Sequence, residues 1–155
     1  MSSRLTREPF DAGCELADFT SRLAGEGAVV SFVGIARSQS SSGERVERLL
    51  LDHHPRLTLR SIKEIAESAR KRFDVAAMRI VHRCGVVAPG EAIVFVAAAS
   101  AHRRAAFEAA DYMMDRLKTE AVLWKREDTA AGSRWIEPRD DDYADRKRWS
   151  ESCPE

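Results

Sequence analysis

Apolar and polar positions along this chain fall into short blocks of two periods. Gly27 to Gly34 is a β-branched, mostly apolar run closed at both ends by glycine, and it predicts a buried strand. Val46 to Asp52 predicts a second strand, and the polar stretch between the two suits a long hairpin. After His54-Pro55, the residues Ile62, Ile65, Ala66, Ala69 and Phe73 recur at helical spacing, so Thr58 to Phe73 reads as an amphipathic helix. Ala77 to Val87 predicts a third strand. Pro89-Gly90 marks a turn, and Glu91 to Ala98 predicts a fourth strand, apolar on both faces. Ser100 stands where an N-cap belongs, before a helix with Phe107, Ala110, Met114 and Leu117 on one face. Ala121 to Lys125 and Arg134 to Glu137 then predict two short strands around Ala131-Gly132-Ser133. Charge dominates from Pro138 onward. Residues 1-10 and about 140-155 are expected to be flexible, the latter ordering only against a partner. The order β-β-α-β-β-α-β-β, with no repeat or linker, argues for a single α+β domain over 1-155 with a mixed or antiparallel sheet.

Composition narrows the function classes. Twenty-five Lys plus Arg are balanced by twenty-five Asp plus Glu among 155 residues. That neutrality argues against non-specific nucleic-acid binding, which needs a basic excess. Cys14, Cys84 and Cys153 form no CxxC pair, so neither a zinc knuckle nor a dithiol redox motif is present, and a reduced, cytoplasmic setting is expected. The longest apolar run, Ala92 to Ala99, is too short to cross a bilayer, so no membrane partner is expected. The N-terminal segment lacks the apolar stretch of a secretory signal.

Three places invite chemistry. At Ser100-Ala101-His102-Arg103-Arg104, basic side chains occupy the first turn of a helix, against the helix dipole. A fold that accepts this can be holding a phosphate or carboxylate on the unpaired N–H groups. The alternative is that these side chains point to solvent or pair with Glu108. Lys118 and Lys125 form the second candidate. Lys118 taken alone is an ordinary helix-end cation, but Lys125 lies between Trp124 and Arg126. A lysine crowded by cations in a partly dry pocket has a lowered pKa and can serve as nucleophile or acid/base. Arg37 is the third, at the mouth of the loop Arg37 to Gly43, which is expected to be mobile. No metal is expected. His53-His54 with His82 and Cys84 lacks any recurring ligand spacing, and Asp140-Asp141-Asp142 reads as a solvated run.

The ordered blocks Phe32-Val33-Gly34 with Arg37, His82-Arg83-Cys84-Gly85 with Pro89-Gly90-Glu91, Ser100-Ala101-His102-Arg103 with Ala106-Phe107-Glu108, and Lys118 with Trp124-Lys125-Arg126-Glu127 together resemble the catalytic, large subunit of molybdopterin synthase. The resemblance covers about Gly27 to about Trp149. It implies an α/β hammerhead fold with an additional small antiparallel β subdomain. It implies a sulfurtransferase of molybdenum cofactor biosynthesis, acting on cyclic pyranopterin monophosphate without a metal or other cofactor. Sulfur would arrive as the C-terminal Gly-Gly thiocarboxylate of a small carrier subunit, in a heterotetramer built on a homodimer. Carried over by position, Lys118 and Lys125 are the catalytic pair. Arg37, His102 and Arg103 would bind the anionic substrate, with Arg126 and Glu127 lining the same pocket and Ile35 and Ala36 contributing mainly backbone. Val122, Ile35, Leu51, His54 and Leu57 depart from common family residues and bear on the shape of the pocket rim and the carrier groove. A non-catalytic docking module is the competing reading. The pair Lys118 and Lys125 favours the enzyme, because a scaffold has no need of both.

Overall fold

The computed structural model describes residues 1–150; Cys153 and the last five positions of the expected tail lie outside them. In chain order the elements are β1 (Ser2–Thr6), α1 (Ala12–Thr20), β2 (Ala28–Ile35), β3 (Val46–His53), α2 (Leu57–Arg72), β4 (Ala77–Arg83), β5 (Gly85–Val87), β6 (Ala92–Ser100), α3 (Arg103–Glu120), β7 (Leu123–Thr129), β8 (Gly132–Ile136) and α4 (Asp140–Lys147). They build two four-stranded sheets, β1-β4-β6-β2 and β5-β3-β7-β8. The first is mixed, since β1 runs parallel to β4 while the other pairs are antiparallel. The second is antiparallel throughout.

The unbroken apolar run of β6 explains the first sheet. Val94, Val96 and Ala98 face α2 and α3, packing with Ile62, Ile65, Ala109 and Met113. Phe95, Ala97 and Ala99 point the other way, against Phe19 of α1. A strand covered on both faces must be apolar at every position. The second sheet has a much smaller core of Ala36, Leu49, Leu51 and Val87, joined to Ile93.

Several expectations need correction. β2 and β3 are not partners in a hairpin; each enters a different sheet. The loop between them carries internal hydrogen bonds. Gln39 bridges Arg45, and Ser40 N donates to Glu44 O at 2.9 Å. The single strand expected over Ala77–Val87 breaks at Cys84 into β4 and β5, because Gly85 takes φ +77° and redirects the chain into the second sheet. Ser100 ends β6 and its hydroxyl donates to Asp74 O at 2.7 Å, while His102 takes the N-cap position of α3.

The N-terminal segment expected to be flexible contains β1, paired with β4 over Ser2–Thr6. Beyond it, α1 is anchored by Arg79, which binds Glu15 and Asp18. The charged C-terminal stretch forms α4 and returns to α3. There Arg148 pairs with Asp111 and Asp115, and Trp149 stacks edge-on against Phe73 and Tyr112. No helix among the described residues is long and apolar enough to cross a membrane.

Candidate active site

Side chains alternate along a strand, so on β7 Lys125 and Glu127 share one face while Trp124, Arg126 and Asp128 occupy the other. Lys125 sits opposite Leu51 and Glu127 opposite Leu49, and both leucines are buried. Lys125 therefore rises from an apolar floor. Burial depresses its pKa below the ordinary lysine value; Glu127, at 3.6 Å, opposes the shift, and Lys118 and Arg37 add to it. Three cations from three elements thus share one potential.

Each of these cations is positioned by its own local structure. Arg37 follows β2 at a register shift between Gly34 and Ile35. A Cβ on Gly34 would lie 2.7 Å from Val94 Cγ1, so only glycine fits where the strand leaves the sheet. Ala36 is buried, donating to Glu91 O at 2.9 Å and accepting from Gly90 N at 2.8 Å, which clamps the backbone before Arg37. Ile35 is exposed. Lys118 occupies the last turn of α3 and lies 4.0 Å from Asp142 of α4. The turn from α3 into β7 is held by α2: the buried Thr58 hydroxyl donates to Val122 O, and Val122 N donates to Ser61 Oγ at 3.1 Å.

Strand alternation separates Arg126 from this group. Its guanidinium binds Asp128 through Nε at 2.9 Å and Nη2 at 3.2 Å, and lies 5.6 Å from the Trp135 ring. Arg48 also binds Asp128, at 2.6 Å. Hydrogen bonds from Arg126, Ser133 and Arg48 hold the Asp128 carboxyl far below the usual carboxylate range. The expectation that Arg126 lines the Lys125 pocket is corrected accordingly, since its side chain is committed to the opposite face.

His102 and Arg103 lie at the other end of the chain's fold. Fifteen residues of α3 separate Arg103 from Lys118, about 22 Å at 1.5 Å per residue. β2 repeats the separation: Ala28 pairs with Ser100, while Arg37 emerges from the opposite end of the strand. Both His102 and Arg103 are exposed, and the first turn of α3 has no acidic residue. Arg104 alone makes the expected contact with Glu108, at 3.8 Å. One chain therefore gathers Arg37, Lys118, Lys125 and Glu127 but not His102 or Arg103.

The sequence reading missed the clasp of Thr58 and Ser61, Asp142 beside Lys118, and Arg134, which stands 3.9 Å from Glu127. Extending the β7 alternation past Lys125 would have grouped Glu127 with Arg134, its cross-strand partner in β8. His82 is buried, its Nδ1 2.7 Å from Arg83 O, and burial lowers its pKa. Among the described residues no three His, Cys, Asp or Glu side chains converge as metal ligands.

Known proteins place this arrangement. The family model described as MoaE protein matches residues 5–120. The molybdopterin synthase catalytic subunit of Caulobacter vibrioides is 47% identical over 149 residues, covering 96% of this chain and 97% of that one. The solved molybdopterin biosynthesis MoaE protein from Burkholderia ambifaria superposes with a TM-score of 0.81 at 36% identity, covering 97% of this chain and 99% of that chain. The crystal structure of molybdopterin synthase from Staphylococcus aureus gives a TM-score of 0.77 at 26% identity, covering 85% and 94%. The chain belongs to the MoaE family, that of the molybdopterin synthase catalytic subunit, an enzyme of molybdenum cofactor biosynthesis.

Proposed function

We propose that this protein inserts sulfur into cyclic pyranopterin monophosphate, taking it from the C-terminal Gly-Gly thiocarboxylate of a small carrier subunit. The observation that carries this reading is Lys125, a half-buried lysine with a depressed pKa that shares its surroundings with Lys118 and Arg37. In the chemistry we infer, the thiocarboxylate sulfur forms a bond to a side-chain carbon of the substrate as that carbon's bond to oxygen breaks, the oxygen departing with a proton as water or staying on the phosphate, and the carrier is left attached as a thioester. Water then adds to the thioester carbon. The tetrahedral oxyanion collapses with cleavage of the carbon–sulfur bond on the carrier side, so the carrier leaves as a carboxylate and sulfur stays on the pterin. Lys118 and Lys125 stabilise that oxyanion and move the protons, while Arg37 holds the substrate phosphate.

The distant pair His102 and Arg103 joins this site if it is shared by two copies. β2 is an edge strand of the first sheet, with Val29, Phe32 and Val33 exposed, and an apolar edge of this kind is a pairing surface. Antiparallel pairing of two β2 strands about a twofold near Ser31 sets the Ile35 end of one beside the Ala28 end of the other. Ser100 of the second copy then lies two strand spacings away, roughly 10 Å, and leads directly to its His102 and Arg103. This reading makes the homodimer a requirement of the site, with one carrier serving each of its two pockets in a heterotetramer.

Turnover of purified protein with thiocarboxylated carrier and the pyranopterin substrate tests the activity. Dithiolene product should require both components and vanish in Lys118→Ala. Co-expression of Lys118→Ala with Arg103→Ala tests the shared site. Lys118→Ala alone is expected to be inactive and Arg103→Ala alone to be about tenfold slower at substrate well below KM, while the mixed dimer carries one intact pocket and recovers wild-type KM at that pocket. Failure of the mixed dimer to recover would return His102 and Arg103 to surface roles.

A further inference from the structure

We propose that Arg83 and Glu91 form a joint between the two sheets that fixes where Arg37 stands relative to Lys125, which makes both of them positioning residues for the reaction; this rests on the function proposed above. Arg83 ends β4, and its side chain is 3% exposed. Its Nη1 donates to Glu91 Oε2 at 3.0 Å and its Nη2 to Val86 O at 2.9 Å. One guanidinium thus ties the end of a strand in the first sheet to β5 of the second and to the turn before β6.

Glu91 carries the constraint from that turn to Arg37. Ala88-Pro89-Gly90-Glu91 is a tight turn with Pro89 at its second position and Gly90, at φ +90°, at its third; Glu91 N donates to Ala88 O at 3.1 Å. The Glu91 carboxylate closes the turn a second time by accepting from Ala88 N at 3.1 Å. Both backbone bonds that clamp Ala36 come from the last two residues of this turn, and Arg37 is the next residue along. Val86 leads the other way. It pairs with Leu50 of β3, whose neighbour Leu51 lies opposite Lys125. From Arg83, a short series of hydrogen bonds therefore runs to each of the two cations.

The energetics favour a joint kept for geometry over one kept for stability. Arg83 Nε is buried without a hydrogen-bond partner, and the one carboxylate on this guanidinium is a third exposed. An orphaned buried donor and a singly paired buried cation carry a desolvation cost that an apolar side chain of similar volume avoids. Arg79, on the same strand, has two carboxylates and a carbonyl and leaves no such debt. An apolar residue at position 83 would fill the space, but it would not hold two separate backbone segments at a set spacing.

The test compares Glu91→Gln, Glu91→Ala and the double variant Arg83→Met with Glu91→Ala. A glutamine oxygen still accepts from Arg83 and from Ala88 N, so Glu91→Gln should keep wild-type kinetics. Glu91→Ala should raise KM for the pyranopterin about tenfold to a hundredfold, the range a misplaced binding group costs, with far less change in kcat. The double variant removes both charges, leaves no guanidinium unpaired, and should fold while showing the same KM. Added to Arg37→Ala, neither should raise KM further, because the group that they misplace is already gone. Amide exchange at Ala36 and Gly90, read without substrate, should speed by at least about tenfold in both alanine-containing variants, while the amides of β6 keep their protection. KM effects that add to that of Arg37→Ala, a wild-type KM in both alanine-containing variants, or unchanged exchange at Ala36 and Gly90 would overturn the joint. A wild-type protein without turnover would remove the function instead, and the exchange measurement would still decide whether the joint exists.

Discussion

Two buried or half-buried cations, one in each sheet, show how differently the two halves of the molecule handle charge. Arg79 on β4 lies under α1 with its guanidinium spread over Glu15 and Asp18 at 3.1 and 2.7 Å, over the Glu15 carbonyl at 3.0 Å, and against the Phe19 ring. Lys125 on β7 has one carboxylate at 3.6 Å and two further cations in its field. Arg79 is fully compensated and its ion pairs fasten a helix to a sheet. Lys125 is under-compensated, and the fold holds it so because neighbouring elements are pinned by Ala36, Thr58 and Ser61. A satisfied buried charge is a structural part, while an unsatisfied one is chemistry awaiting a ligand.

Removing the under-compensated charges should produce the largest functional loss. Lys118→Ala is expected to lower kcat by about 10²- to 10⁴-fold, the usual contribution of a positioned acid/base or oxyanion donor. Its melting temperature should stay near wild type, because Lys118 is exposed and its contact with Asp142 spans 4.0 Å. A variant that unfolds, or that keeps full turnover, would erase the contrast with Arg79.

Arg79→Ala is the mirror experiment. It takes one partner each from Glu15 and Asp18, which keep Arg4 and Arg22, and removes a buried hydrogen-bonded side chain under α1, so it should cost about 1–3 kcal/mol, less than stranding a buried charge. Denaturant titration should show that loss, while activity per folded molecule remains unchanged. Loss of activity at full stability would contradict the division of labour between the sheets.

The pH profile sharpens the comparison within the second sheet. The folded pKa of Lys125 lies below its unfolded value, chiefly through burial. Stability linked to this group is therefore fully present above the unfolded lysine pKa and is lost as pH falls through the depressed folded value. If protonated Lys125 acts in the reaction, kcat should fall on an alkaline limb at that folded value, below the ordinary lysine range. Glu127→Gln removes the carboxylate that favours the charged form and should move the limb to lower pH. Lys125→Arg should carry it out of the accessible range. A limb that ignores both substitutions belongs to another group.

The same contrast explains what could be read from the chain alone. The elements around β6 were legible because a doubly covered strand writes an unbroken apolar run and its helices write stripes such as Ile62, Ile65, Ala66 and Ala69. β1, α1 and α4 were not. Ser2–Thr6 is mostly polar, α1 fully buries only Phe19, and α4 buries nothing, so each is held by distant partners such as Arg79, Asp115 and Tyr112 rather than by its own periodicity. At the candidate site, Lys118, Lys125 and Arg37 were named by position, and their proximity follows from the fold. Arg126 was misplaced because the strand was ended at Lys125 instead of Thr129, which hid the alternation. The gap between Arg103 and Lys118 was legible, since both stand on the helix expected after Ser100 and fifteen helical residues span about 22 Å.

Neighbouring arginines at the start of α3 give the finest test of whether charge there is a site or a surface. Arg103 and Arg104 are both exposed in the first helical turn, and both oppose the helix dipole. Arg104 has a weak i,i+4 partner in Glu108, at 3.8 Å. Deleting it loses that attraction and relieves the dipole conflict, two small effects of opposite sign. Arg104→Ala should therefore leave stability, KM and kcat close to wild type. Arg103→Ala should raise KM for the pyranopterin about tenfold with a similarly small change in stability, since one phosphate contact is lost and no packing is disturbed. Steady-state kinetics on the two variants separates the cases. Equal effects would mean that net charge at the helix end matters and no residue there is aimed at a ligand. A deficit confined to Arg103 is what a pocket completed by a second copy demands, because only a side chain directed across the β2 edge can reach the phosphate held by Arg37.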